Sequence, residues 1–348
     1  MSLKISASPW GNGKGGGKME SLQSIEKAFR IIQASVASSG LPVLSLARSP
    51  RPSLRELARS ADYHHETLRR RLVYLGKREK DIQATLCACF SEEPLLCLMD
   101  PTYLRESEER VIVFAVPDKL SGKAIPIAWD YQDWERMREN PPLSRNLMVE
   151  GSVRRLRNTM GHGFTLVADR EFDSRRFRAK LRKMGIGYVL RLRTNASPAE
   201  TGENELVYQE EGYQESWRLI ARKEDNPVKA YKKRMRIEGL FRDIKGLLGM
   251  RELLRKIRDP LVRRGLVVLI ILAWLMRLLQ GLYAMVKGLL SPNDPLLKSF
   301  RRREISVINL ALSLEIRELS RLRSPCAIWD YKESEAASSI CGGVKCAR

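Results

Sequence analysis

The sequence predicts an α/β chain built on a mixed sheet, with helical regions before and after it. Three observations carry that expectation. Near residue 95 the apolar pattern changes from helical spacing to short runs of β type. Such runs then alternate with helical stretches to about residue 192. From about residue 229 long helical patterns return.

At 348 residues the chain fits one large domain or two to three smaller ones. Hydrophobic residues make up 43%, enough for a real core. Lys+Arg number 62 against 41 Asp+Glu, a net charge of +21. That balance points to a polyanion, most simply nucleic acid; a merely soluble or ribosome-like basic protein is the plainer alternative. Six cysteines and three histidines show no zinc spacing. Free thiols indicate a reducing compartment, and MSLKISASPWGNGKGGGK lacks the apolar core of a signal peptide. The most apolar run, Gly265–Met276 between Arg264 and Arg277, falls short of the about 20 residues that span a bilayer. It is expected as a buried helix, with no membrane role.

Residues 1–18 are rich in Gly, Lys and Ser and are expected to be a disordered tail. Leu22, Ile25, Phe29, Ile32 and Val36 follow helical spacing. After the SPRPS linker, Ser53 is placed to cap a short helix carrying Leu54, Leu57 and Ala58. A break at Ala61–Tyr63 precedes a second helix with Leu68, Leu72 and Leu75 inward and Thr67, Arg69, Arg70 and Arg71 on the opposite face. Short helix, tight turn and basic helix form the helix-turn-helix pattern, in which Arg69 and Arg70 would meet DNA. A small structural bundle with a solvated charged face has the same pattern, so both readings stand. Residues 19–88 are thus expected as a helical, DNA-binding region.

Strands are expected near 95–99, 110–116 and 124–128, then a helix at about 143–159, a strand at 164–168, a helix at about 174–184 and a strand at about 186–192. Between about 196 and 227 alternating pieces (ELVYQ, ESWRLIARK) suggest a small antiparallel insertion. Long helices are expected at about 229–248 and 260–288. A last amphipathic helix uses Ile305, Ile308, Leu312, Ile316 and Leu319. Three strands, then helix, strand, helix, strand, helix is the order of a ribonuclease-H-like mixed sheet. The core is set at 89–290, with a C-terminal helical region at 291–348 ending in an irregular tail.

Two of the expected strands end on a carboxylate: LLCLM on Asp100 and FTLVA on Asp169. A third acid, Glu238, lies in the basic helix YKKRMRIEGLFRDIK. Carboxylate oxygens suit magnesium, and two such ions can serve an in-line displacement at phosphorus. Singly, each aspartate is more simply a cap or turn residue. On an α-helix advancing ~100° per residue, Tyr231, Arg234, Glu238 and Lys245 fall within an arc of roughly 60°. An ordinary ion pair explains Arg234 with Glu238. It does not call for Tyr231 and Lys245 on the same stripe. Ile237, Leu240, Phe241, Ile244 and Leu248 form the apolar side.

The spacing Tyr231-x2-Arg234-x3-Glu238-x6-Lys245 resembles the YREK signature of bacterial insertion-sequence DDE transposases, which carry a β-strand insertion in a ribonuclease-H-like core. VADREFDSRRFRAKLRKMGIGYVLRLRTN resembles the family's second-aspartate region, MDPTYL its first and GKAIPIAW the strand that follows. The similarity covers about residues 90–285. It implies a metal-dependent DNA-cleaving and strand-transferring enzyme with Asp100, Asp169 and Glu238 as ligands of Mg²⁺ (Mn²⁺ substituting), Asp100 bridging two ions. It implies that Tyr231, Arg234 and Lys245 contact phosphates near the element's end. It implies terminal inverted repeats and target DNA as partners, a homodimer on DNA supported by the helices after 290, and a cytoplasmic, nucleoid-associated location. Arg191 and Arg193 would hold the DNA backbone or simply be solvated. Trp217, in the insertion, would stack on a flipped base or serve as a hairpin-core tryptophan. A nuclease that cuts without joining, and a binding protein without catalysis, are the rival functions.

Overall fold

The structure, a computed structural model, describes residues 53–60, 62–90, 95–103, 109–118, 121–133, 145–161, 163–209, 215–255 and 257–286. The expected tail at 1–18, the helix from Leu22 and the amphipathic helix of the C-terminal region lie outside these residues. By its contacts the chain divides into two units, 1–279 and 280–348. The first is described here; of the second, only the last turns of one helix fall among the described residues.

Two short helices open the first unit: α1 (Leu54–Ser60) and α2 (His65–Lys77). Ser53 Oγ accepts from the Glu56 N–H at 3.2 Å while Glu56 Oε2 accepts from the Ser53 N–H at 2.8 Å. This reciprocal capping box satisfies two otherwise orphaned donors. Leu68, Leu72 and Leu75 are buried, as their spacing requires. A third helix, α3 (Glu79–Cys89), buries Cys87 and Cys89.

The sheet comprises β1 (Leu95–Tyr103), β2 (Glu109–Pro117), β3 (Ala124–Asp133), β4 (Phe164–Ala168), β5 (Gly187–Arg191), β6 (Asn204–Tyr208) and β7 (Trp217–Arg222), in the order β3-β2-β1-β4-β5-β7-β6. β1, β2 and β3 are antiparallel; β1, β4 and β5 run parallel. That is the ribonuclease-H-like arrangement: a three-stranded meander followed by two strands reached through crossover helices, α4 (Arg145–Met160) and α5 (Arg175–Lys183). Inward-facing Val149, Val153, Leu156 and Met160 of α4 are buried, as are Phe177 and Leu181 of α5. Gly185, at φ +73°, turns the chain from α5 into β5. Such a left-handed turn favours glycine, and the Ile186 N–H closes it on the Leu181 carbonyl at 3.0 Å.

The insertion does not stand apart. Its β7 pairs with β5 and its β6 with β7, both antiparallel, so it extends the central sheet to seven strands. Without β7 the β5 edge would be left open, with its donors unpaired.

The long helix expected at about 229–248 is two pieces: α6 (Pro227–Arg242), then a π-turn at Asp243–Leu247. A short α7 (Met250–Arg255) follows. α6 lies across the sheet, touching β1 to β5 and β7. The apolar run at 265–276 is buried in α8 (Pro260–Val286). No described helix is long and apolar enough to cross a membrane.

α2 and α8 meet backbone to backbone. A Cβ on Gly265 would lie 1.9 Å from the Leu72 carbonyl oxygen, and one on Gly76 would lie 2.2 Å from that of Leu261. Neither carbonyl can yield without moving a helix. Gly265→Ala is expected to cost about 1–3 kcal/mol as overpacking, read as a lower urea midpoint.

Candidate active site

Parallel register places the two aspartates. Met99 pairs with Ala168 across β1 and β4, so the next residues, Asp100 and Asp169, stand at the same level. The sequence places Asp100 at a strand end. In the structure β1 continues to Tyr103, and only β4 stops, at Ala168. β2 keeps pairing with β1 through Pro101, Thr102 and Tyr103, and a proline beyond the end of β4 costs no bond to that strand.

Asp169 caps a 3-10 turn at Arg170–Phe172. Its Oδ1 accepts from the Arg170 N–H at 2.8 Å and from the Tyr231 hydroxyl at 2.9 Å. The turn is clamped from two sides. Arg110 of β2, 1% exposed, binds the Glu171 carboxylate. Arg193 donates from Nε to the Arg170 carbonyl at 2.9 Å and from Nη2 to the Glu171 carbonyl at 3.0 Å.

α6 supplies the rest. Tyr231 and Arg234 are buried, 1% and 6% exposed, on the face that meets the strand ends. Arg234 Nη1 lies 3.1 Å from Asp100 Oδ2, and Nη2 lies 2.9 Å from Glu238 Oε1 and 3.9 Å from Asp169 Oδ2. The three acids expected from sequence therefore converge on one guanidinium. Tyr231 and Arg234 of the stripe face inward with the apolar residues, while Glu238 is half-exposed at its edge.

The electrostatics divide the two aspartates. Burial, with the nearby Asp169, Glu238 and Glu171 carboxylates, pushes Asp100 up to about 7 despite Arg234. Burial also acts on Asp169, but Arg234, the Arg170 N–H and the Tyr231 hydroxyl outweigh it and hold that carboxyl below its usual range. A carboxylate raised beside a second one held ionised is the pattern of sites where charge is concentrated for chemistry.

The donor set is all carboxylate oxygen, which suits a hard divalent cation. Excess negative charge around Asp100 supports that fit. Among the described residues, no three of His, Cys, Asp or Glu are spaced to hold one ion, and the guanidinium stands between these three.

Other expected residues are placed differently. Lys245 lies in the π-turn, so the 3.6-residue period does not carry to it. It is half-buried over the Phe241 ring, 5.8 Å from its centroid. Burial and the neighbouring Arg251 lower its pKa, while Asp100 opposes them. Asp243 anchors the turn: it pairs with Lys123 at 2.7 Å and accepts from Trp274 Nε1 at 3.3 Å, both long-range contacts. Trp217 is buried, 7% exposed, between Tyr208 and Tyr231, whose ring centroids lie at 5.7 and 5.2 Å. As placed, it supports Tyr231 and offers no open face for a base. Arg191 pairs with Glu215 at 2.7 Å and acts electrostatically on Asp169. Arg193 is committed to the turn, so the two arginines do not form one matched pair. Arg69 pairs with Asp259 at 3.2 Å, and Arg70 is largely exposed beside Glu66.

Sequence reasoning missed Arg110, Glu171 and Asp243. A charged residue opening the apolar run RVIVF, and the acid two positions beyond Asp169, were the available signals. A concavity of about 530 Å³ opens beside the site, lined by Asp169, Arg170, Glu171, Arg193 and Thr194.

Residues 145–276 match the family described as Transposase DDE domain. That span includes Asp169, Tyr231, Arg234, Glu238 and Lys245; Asp100 lies before it. No curated protein matches the chain. Among solved structures, the chain is similar to the piggyBac transposase in its synaptic complex with hairpin DNA. The identity is 13%, covering 94% of this chain and 78% of that one, with a TM-score of 0.45.

Proposed function

We propose that this protein is a DNA transposase of an insertion sequence, cutting DNA at the element's ends and joining the freed ends to target DNA. One observation carries the reading: Asp100 in β1, Asp169 just beyond β4 and Glu238 in α6 converge within reach of one buried guanidinium. The family match over residues 145–276 and the +21 charge support it.

Asp100, Asp169 and Glu238 would hold magnesium ions, which supply Lewis-acid polarisation of the phosphate and acidify an attacking water. The chain's own residues do the rest. Tyr231 and the Arg170 N–H fix the Asp169 carboxylate so that its Oδ2 faces inward. Arg110 and Arg193 keep the turn that carries it from shifting. Lys245 and Arg191 place positive charge near the acids, where a DNA phosphate can be held. Arg70 and the exposed face of α2 are the reading's candidates for recognising terminal repeats. A homodimer on DNA follows from the need to bring two ends together.

Purified protein incubated with a duplex bearing the ends of its own element, with Mg²⁺, is expected to give 3′-end nicks and joined products. Nicks without joining would reduce the reading to a nuclease, and a gel shift without cleavage would reduce it to a binding protein.

A further inference from the structure

We infer that Arg234 is the resident counter-cation of the carboxylate site, holding the three acids together until a divalent cation displaces its guanidinium. The inference rests on the proposed metal-binding role of Asp100, Asp169 and Glu238.

Three carboxylates face a single guanidinium, so local negative charge stays in excess. Among the described residues Arg234 ion-pairs with all three, at 3.1 Å to Asp100, 2.9 Å to Glu238 and 3.9 Å to Asp169. Its Nε–H is buried without a hydrogen-bond partner. The third contact is too long for a hydrogen bond. The guanidinium is therefore attracted strongly but seated incompletely. A divalent cation entering between the same carboxylates would need the space the guanidinium fills, and would meet its like charge at contact distance.

The exposures of its neighbours differ from side to side. Tyr231, 1% exposed, lies on one side, its ring centroid 5.5 Å from the guanidinium carbon. The Asp100 side chain, 14% exposed, closes another. Glu238, with 42% of its side chain exposed, and Met235, 43% exposed, open toward solvent. A rotation past Glu238 toward Met235 would carry the guanidinium away from Asp100 and Asp169, to the surface where a DNA phosphate would approach. Arginine's planar fork then suits it to bind that phosphate. One side chain would thus serve the empty site and the loaded one in turn.

The test compares wild type with Arg234→Met by thermal melting without metal and by Mn²⁺ binding followed by electron paramagnetic resonance. Without metal, the variant is expected to melt lower at neutral pH, because three carboxylates lose their shared partner. It is expected to bind Mn²⁺ about tenfold tighter, because nothing must be displaced. Equal or weaker Mn²⁺ binding by the variant, with clear binding by wild type, overturns the inference and leaves the metal site standing. No Mn²⁺ binding by wild type overturns both. Should Arg234→Met fail to fold, the Arg234 Nε–H resonance of arginine-labelled wild type, assigned with Arg234→Lys, is followed on Mg²⁺ titration. A large shift is expected at saturation, and an unmoved resonance contradicts displacement.

Discussion

Asp169→Asn is expected to lower DNA cleavage and joining by about 10³-fold or more, while the protein still folds and still shifts DNA in a gel. Asparagine has the shape of aspartate, and its amide oxygen can still accept from the Arg170 N–H and the Tyr231 hydroxyl, now at 2.8 and 2.9 Å. The turn at Arg170–Phe172 therefore stays capped. What is lost is the negative charge that faces Arg234 and, in the proposed function, a divalent cation. Single-turnover cleavage of an end duplex reads the effect. Asp173→Asn is the control. Asp173 lies four residues along, makes no contact with Arg234, and receives the Arg193 N–H at 3.3 Å. A normal rate in Asp169→Asn, or an equal loss in both variants, would show that the site lies elsewhere.

Glu203→Ala is expected to cost about 3–5 kcal/mol of stability. Arg178 of α5 and Glu203 have fully buried side chains and pair at 2.9 Å. Glu203 also accepts from Arg182 at 2.5 Å, from the Tyr188 hydroxyl and from the Glu200 N–H at 2.7 Å. Arg178 Nη2 holds the Ser197 and Pro198 carbonyls at 3.0 and 3.3 Å. Removing the acid leaves a buried guanidinium without its counter-charge. It also frees the segment that leads into β6. Urea denaturation of Glu203→Ala measures the loss. The double variant Arg178→Met/Glu203→Leu is expected to recover much of it, because removing both charges also removes their desolvation cost. A loss below about 1 kcal/mol for Glu203→Ala would mean that the network is solvated and structurally minor.

Periodicity made the elements legible and left their neighbours hidden. Alternating and helical runs placed β1 to β5, α4 and α5 close to their observed positions, because each pattern is a property of its own segment. The extent of β1 depends on β2, which goes on pairing beyond Asp100, and on β4, which does not; neither length shows in LLCLMDPTY. The stripe on α6 named Tyr231, Arg234 and Glu238 correctly as sharing a face. A period says which residues lie together, however, and not what they lie against. Here they lie against two aspartates, so Arg234 and Tyr231 are buried where solvent-side phosphate contacts were expected. Lys245 escaped the period altogether. Asp243 is tied to Lys123 and Trp274, partners 120 and 31 positions away, and the helix widens into a π-turn there. Alternation predicts an antiparallel insertion, but its docking onto β5 is a tertiary choice that ELVYQ and ESWRLIARK do not announce. Arg110 was missed for the same reason: its partner, Glu171, stands 61 residues on.

The most direct test of the central claim is crystallography of the protein soaked in Mn²⁺, using the anomalous signal of manganese. The account predicts a peak bound by Asp100 together with Asp169 or Glu238, with the Arg234 guanidinium turned away from them. Manganese bound only at other residues, or none at saturating concentration with Arg234 still bridging the acids, would contradict it.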